Sequence, residues 1–203
     1  MTTRPLTRAE RREQTHDDLV AAADRCFVGG GFHATSLDQI AASAGYTKGA
    51  VYSNFASKED LFFAVYERRA AGAEAQMTEL LADDPAAGLD RISADTTGRR
   101  GRDDGWLAVF FEFWAHVIRH PELRGRFAEI HRRVQLPVAA ALERVAAERG
   151  VELPVAALPL AVASGAMQIG LALERLTQPE VVEEALGVHM SRLLLDEIER
   201  SKG

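Results

Sequence analysis

A chain of 203 residues that is 47% hydrophobic and 27% charged can bury a real core in one or two domains, so neither disulfides nor a metal is required for it to fold. A net charge of -6 excludes bulk electrostatic coating of nucleic acid, which takes a large basic excess; any such contact must be local. The single cysteine, Cys26, excludes an intrachain disulfide, and its place between Ala23 and Phe27 predicts a small buried hydrophobe.

Abundant Ala, Leu, Glu and Arg and the near absence of strand signals predict an all-α protein. The chain is expected to lack a run of about 18 uncharged apolar residues able to span a bilayer, and its Arg-rich start lacks the apolar core of a secretory signal, so a cytoplasmic location is expected. Residues 1–6 read as disordered. Residues 1–12 carry Arg4, Arg8, Arg11 and Arg12 against Glu10 alone, which fits either a solvated tail or a local anchor on DNA. Thr7 and Glu10 form the cap signature of a first helix running to about Val28, with Leu19, Ala23, Cys26 and Phe27 inward. Gly29, Gly30 and Gly31 are expected to stop it, after which Phe32 re-enters the core.

Residues 35–61, TSLDQIAASAGYTKGAVYSNFASKEDL, pack three helix starts and one tight turn into a short stretch. Ser36 can cap a helix with Gln39 reaching back, and Leu37, Ile40, Ala41 and Ala44 recur at helical spacing. Gly45 supplies the left-handed residue that ends this helix, and Thr47 caps a short helix over residues 48–54. Ala41, Gly45 and Val51 hold the crossing, which is the pattern of a helix-turn-helix. Ser57 caps a third helix that begins at Lys58 and continues through Met77 and Leu80, a lever of about 25 residues ended by Asp83, Asp84 and Pro85.

Residues 85–97 form a weakly amphipathic helix with Leu89 and Ile92 inward, followed by a charged loop over 98–105. Residues 106–120 are apolar over most of the helix circumference and belong in the middle of a bundle. Pro121 opens the next helix, Pro137 is expected to kink it, and Gly150 ends it. Pro154 and Pro159 precede a small-residue helix over 160–176, and Pro179 is expected to open the last helix. Leu160, Ser164, Gly165, Val182, Leu186, Met190, Leu193 and Leu194 give these two helices more apolar surface than one bundle edge needs. A homodimer interface is the expectation; the alternative is that both helices are used up inside the monomer.

The stretch AADRCFVGGGFHATSLDQIAASAGYTKGAVYSNFASKEDLF closely resembles the TetR family of bacterial transcriptional repressors, with Phe27, Gly31, Thr35, Ile40, Ala41, Ala44, Gly45, Gly49, Tyr52, Phe55, Lys58 and Leu61 where that family has them. Tyr46 departs mildly, standing where a smaller aliphatic residue is usual. The resemblance covers about a fifth of the chain; the remainder matches only in its all-helical layout. It implies a helix-turn-helix DNA-binding domain over 1–57 and a helical ligand-binding and dimerisation domain over 58–203. Two recognition helices of a homodimer would then enter successive major grooves of a palindromic operator. Gly49 and Ala50 are small enough to bring the backbone near the groove floor, Thr47 can reach a phosphate or base edge, and Lys48 a phosphate or a guanine. Tyr52, Thr35, Ser36 and Lys58 are expected on phosphates, and Ser53 and Asn54 near the backbone. Phe55 is expected in the core.

Such proteins usually release DNA when a small molecule enters a cavity in the C-terminal helices. The expected lining is Trp106, Phe110, Phe113, Trp114, Phe127, His131, Met167 and Gln168, which suits an apolar or aromatic effector. The same residues would also make a solid core. Glu112, His116 and His120 share one helix face at four-residue steps, but a Glu112–His116 pair and a His120 helix cap are favoured over a metal site. No cofactor is expected. With no Gly-rich phosphate loop, His-Glu-x-x-His or Gly-x-Ser-x-Gly, neither is an enzyme. The remaining rival is a helical interaction module that keeps the fold without sequence-specific DNA binding.

Overall fold

The computed structural model describes Arg4 and residues 7–98, 104–183 and 185–200; the side chains of 97, 98, 104, 194, 195 and 197–200 lie outside this set. The expectations for the first six residues other than Arg4, for loop residues 99–103 and for Leu194 therefore fall outside the described residues. All regular structure in the described residues is helical: α1 (Arg8–Gly30), α2 (Leu37–Ala44), α3 (Lys48–Asn54), α4 (Lys58–Leu80), α5 (Pro85–Gly98), α6 (Asp104–Arg119), α7 (Arg124–Arg149), α8 (Ala157–Thr177) and α9 (Leu186–Arg200), with a 3-10 turn at Pro121–Leu123. The chain packs as two compact units, one of residues 1–69 and 105–127, the other of 70–104 and 128–203.

In the first unit α1 starts at a complete capping box, with the Thr7 hydroxyl accepting from Glu10 N–H and the Glu10 carboxylate from Thr7 N–H. The helix runs past Gly29 and Gly30, so only Gly31, at φ 80°, stops it. The burial of Phe27 and the bond from Gly31 N–H to Phe27 O outweigh the poor helix propensity of two glycines. Cys26 is half-buried where a buried residue is expected: Leu19, Ala23 and Phe27 take the inner stripe. Phe27, Phe32, Phe62 and Phe113 are fully buried and their rings touch in sequence, joining α1, the following loop, α4 and α6.

In the second unit Leu81 and Leu89 pack with Leu142 and Val145 of α7 and Ala157 and Ala161 of α8. A Cβ on Gly88 would lie 2.4 Å from Leu80 O, so the corner between α4 and α5 admits only glycine there. Gly150, at φ 61°, ends α7, which holds Pro137 inside it. Two proline expectations are corrected. α8 begins at Ala157, with Pro159 in its first turn, where a missing N–H leaves no helical bond broken. Pro179 does not open α9; it sits in a turn in which Val181 and Val182 N–H both donate to Gln178 O, and the helix starts at Leu186.

The sequence from 153 to 173 carries no charge, and α8 is long and apolar enough by length and composition to cross a bilayer, contrary to expectation. A polar node nonetheless ties it to its neighbours. Gln168 Nε2 lies 2.8 Å from Ser191 Oγ, 3.0 Å from Gly187 O and 3.1 Å from Ser93 Oγ, three acceptors shared by its two N–H donors, joining α8 to α9 and α5. Such a node fixes helix register, since a slip by one residue would bury an amide without partners.

Candidate nucleic-acid interface

The helix-turn-helix is built by local capping. Ser36 Oγ accepts from Gln39 N–H while the Gln39 side chain accepts from Ser36 N–H, completing the box at α2. Gly45 is left-handed at φ 74°; its N–H donates to Ala42 O, and Tyr46 N–H to Ala41 O, so the carbonyls left over at the helix end are satisfied. Thr47 Oγ1 accepts from Ala50 N–H at the start of α3. Ala41 and Val51 are buried beneath the crossing. A point missing from the sequence reading is Tyr46, whose hydroxyl donates to Asp18 Oδ2 at 2.8 Å and pins the turn to α1. The residue that departs from the usual pattern is thus a tether.

α3 divides by face. Val51 is fully buried and Phe55, just past the helix, nearly so, while Thr47, Lys48, Gly49, Tyr52 and Ser53 are exposed, Tyr52 at 53%. Ala50 and Asn54 are half-buried. Nothing lies closer than 3.8 Å to a Cβ built on Gly49, so the outer face is open at that point. Ser53 Oγ and Asn54 Nδ2 both donate to Ala50 O. Lys48 Nζ donates to Asp38 Oδ2 at 2.9 Å, and that hydrogen bond and charge raise the ammonium's pKa above its ordinary value. At the N-terminus Arg4 pairs with Glu10 at 2.6 Å, while Arg8 and Arg12 are exposed.

Two residues expected on phosphates turn their side chains inward. Thr35 is buried, and its hydroxyl donates inward to Gly31 O at 2.7 Å. Lys58 turns its Nζ to Phe32 O, His33 O and Thr35 O at 2.9, 3.2 and 3.2 Å, over the Phe32 ring. An ammonium has three donors, so all are spent on this loop. Ser36 remains exposed.

The acidic face of α6 is also used differently from expectation. Glu112 does not pair with His116; its Oε2 accepts from Phe32 N–H at 2.8 Å and His33 N–H at 3.3 Å. His116 instead lies 3.3 Å from Glu59 and stacks on His120 with ring centroids 3.9 Å apart. Burial, then the charge of His120, lowers the pKa of His116. His120 Nδ1 lies 2.8 Å from His116 O, within the last turn of α6. Among the described residues no group of three or more His, Cys, Asp or Glu side chains is placed to hold a metal.

Of the expected effector lining, Trp106, Phe110, Phe113, Trp114 and Phe127 come together in the first unit, where Tyr66 touches Trp106, Phe110 and Phe127. Phe113 has no exposed surface, whereas Trp106 and Trp114 are half-buried. Burial lifts the Tyr66 hydroxyl far above its ordinary range. His131, Met167 and Gln168 belong to the second unit; burial lowers the pKa of His131, and Gln168 is committed to Ser93, Ser191 and Gly187. Of the expected interface residues, Val182 is buried in the turn before α9, which takes it off any outer face. Leu160, Ser164, Gly165, Leu186 and Met190 are half-buried, and Leu193 is exposed. Val162, Leu173 and Leu176 of α8, absent from the sequence reading, are exposed as well.

Comparison with known proteins places this arrangement. The family model of bacterial regulatory proteins of the tetR family matches residues 19–65, and that of the BetI-type transcriptional repressor C-terminal region matches residues 85–199. The HTH-type transcriptional activator FasR of Mycolicibacterium smegmatis is 34% identical over 111 residues, which is 55% of this chain and 43% of that protein. The HTH-type transcriptional repressor AcnR of Corynebacterium diphtheriae is 28% identical over 130 residues, 64% of each. The chain therefore spans between 43% and 64% of the length of these curated relatives. In fold it is similar to reduced Escherichia coli NemR, with a TM-score of 0.74 at 21% identity over 89% of this chain and 97% of that one. A Saccharomonospora viridis protein crystallised in complex with choline has a TM-score of 0.72 at 22% identity, over 92% and 96% of the two chains. With both halves of the chain matched and the capped turn in place, the chain belongs to the tetR family of bacterial regulatory proteins.

Proposed function

We propose that the chain is a repressor that binds a palindromic operator as a homodimer and is released by a small apolar or aromatic effector. Residues 1–57 form the reading head, and 58–203 carry effector binding and dimerisation. The observation that carries this reading is the division of α3, with Val51 sealed in the core while Lys48, Gly49 and Tyr52 stand exposed on the opposite face. A helix with that outer face fits the major groove, with Thr47 and Ser36 close enough to the helix starts to meet phosphates. The local nature of the contact suits a chain of net charge -6, and two linked heads supply affinity that one small surface does not. The exposed Val162, Leu173, Leu176 and Leu193 support a pairing face on α8 and α9. The aromatic group of α4, α6 and Phe127 supports an apolar or aromatic effector, and a cytoplasmic location fits a DNA-binding role. Repression is favoured because the C-terminal match is to a repressor type.

Selection of duplexes from a random DNA pool by the full chain tests the reading. An enriched palindrome is the expected result, and a pool that stays random after repeated rounds would overturn it.

A further inference from the structure

The outer face of the helix-turn-helix carries an ion pair across its turn. Lys48 on α3 donates to Asp38 on α2 at 2.9 Å, with the two side chains 60% and 58% exposed, and its Nζ stands 5.9 Å from the centre of the Tyr52 ring. The pair therefore lies on the surface that the operator would meet. An ammonium has three donor hydrogens and Asp38 takes one, leaving two for acceptors in front of α3. The carboxylate also offsets the charge. Attraction to phosphate follows charge and ignores sequence, whereas a hydrogen bond to a base edge needs only a donor in the right place. In the major groove the acceptors that suit a lysine are O6 and N7 of guanine.

We propose that Asp38 is a specificity-determining residue: by holding Lys48 in an ion pair it suppresses sequence-independent phosphate binding and leaves the lysine to donate to a guanine. The inference rests on the operator-binding reading above. Unpaired, Lys48 would be a mobile point charge able to satisfy itself on any phosphate. Paired, it is aimed, and a base that offers no acceptor there leaves its remaining donors unmet.

Fluorescence anisotropy of the full chain tests this, using the duplex enriched from a random pool and a scrambled duplex of equal length over a series of KCl concentrations. Relative to wild type, Asp38→Asn is expected to raise affinity for the scrambled duplex about tenfold and to steepen the salt dependence by about one counterion per protomer. It should also lose guanine enrichment at one symmetric pair of positions, while Asp38→Glu retains it. In a Lys48→Ala background the same Asp38→Asn change should alter scrambled-duplex affinity by less than about twofold. Equal gains in both backgrounds would show Asp38 to be a general repeller of phosphate and overturn the proposal, as would an Asp38→Asn protein with unchanged salt slope and specificity ratio. A wild type that enriches no sequence overturns the operator reading itself, and this inference with it.

Discussion

Glu112 Oε2 accepts the backbone N–H of Phe32 at 2.8 Å, across 80 positions of sequence. The same oxygen takes His33 N–H at 3.3 Å, so one carboxylate on α6 satisfies two donors of the loop that leads into α2. Removing it leaves those donors without their partner. Glu112→Ala is expected to destabilise the protein by about 1–3 kcal/mol, and Glu112→Gln, which keeps an acceptor, by less. Urea unfolding of the full chain measures both, and equal stabilities for the two variants would argue that the carboxylate bears no such role.

Gly31 and Gly45 both have positive φ, but their surroundings differ. A Cβ on Gly31 would come within 2.7 Å of Glu112 Oε1, whereas one on Gly45 meets nothing within 4 Å. Gly45→Ala should cost about 1–2 kcal/mol of backbone strain alone. Gly31→Ala adds displacement of Glu112 and should cost more. Thermal melts of the two variants test the order; a Gly31→Ala protein as stable as Gly45→Ala would refute it.

Lys48→Ala and Tyr52→Ala remove exposed side chains over a sealed core, so each is expected to leave unfolding within about 0.5 kcal/mol of wild type. Operator affinity should nevertheless fall in both variants. Affinity unchanged in either variant would remove that residue from the interface.

Below neutrality the histidines become informative. Burial lowers the pKa of His131, and burial and then His120 lower that of His116, so the folded state binds fewer protons than the unfolded chain. Stability is therefore expected to fall as pH drops through the unfolded value of about 6.5 and to level off once the pH is below the lowered folded values. His131→Gln should flatten part of this slope in urea unfolding between about pH 7.5 and 5. A wild type with flat stability over that range would contradict it.

On α8, Leu173 and Leu176 are exposed although the helix is largely apolar. Under the dimer proposal, a Leu173→Glu, Leu176→Glu double variant should sediment as a monomer at concentrations where wild type is a dimer, with helicity retained by circular dichroism. Buried charge at an apolar contact is the reason. A variant that still sediments as the dimer would place the interface elsewhere.

How far the sequence could be read follows from the range of each interaction. The boxes Thr7/Glu10 and Ser36/Gln39, the left-handed Gly45 and the Ser57 cap are settled within a few residues, and local chemistry specifies them. The inward bonds of Lys58 and Thr35 are not legible in the same way, because their side chains answer to carbonyls of a loop that only the folded chain brings near. The partner of Glu112 lies still further off in sequence. Pro179 failed for a different reason: the apolar spacing of Val182 with Leu186 and Met190 imitates a helix, yet Val182 is buried from a turn. Apolar period alone does not separate those cases. Cys26 and the corrected glycine run show packing overriding local preference in both directions.

The bonds of Lys58 have a mechanical consequence. Three acceptors around one ammonium, with the Phe32 ring against it, restrain the loop in both position and orientation relative to the first turn of α4. That is a tripod mount. The loop before α2 and the first turn of α4 are thereby joined through a side chain as well as through the intervening backbone.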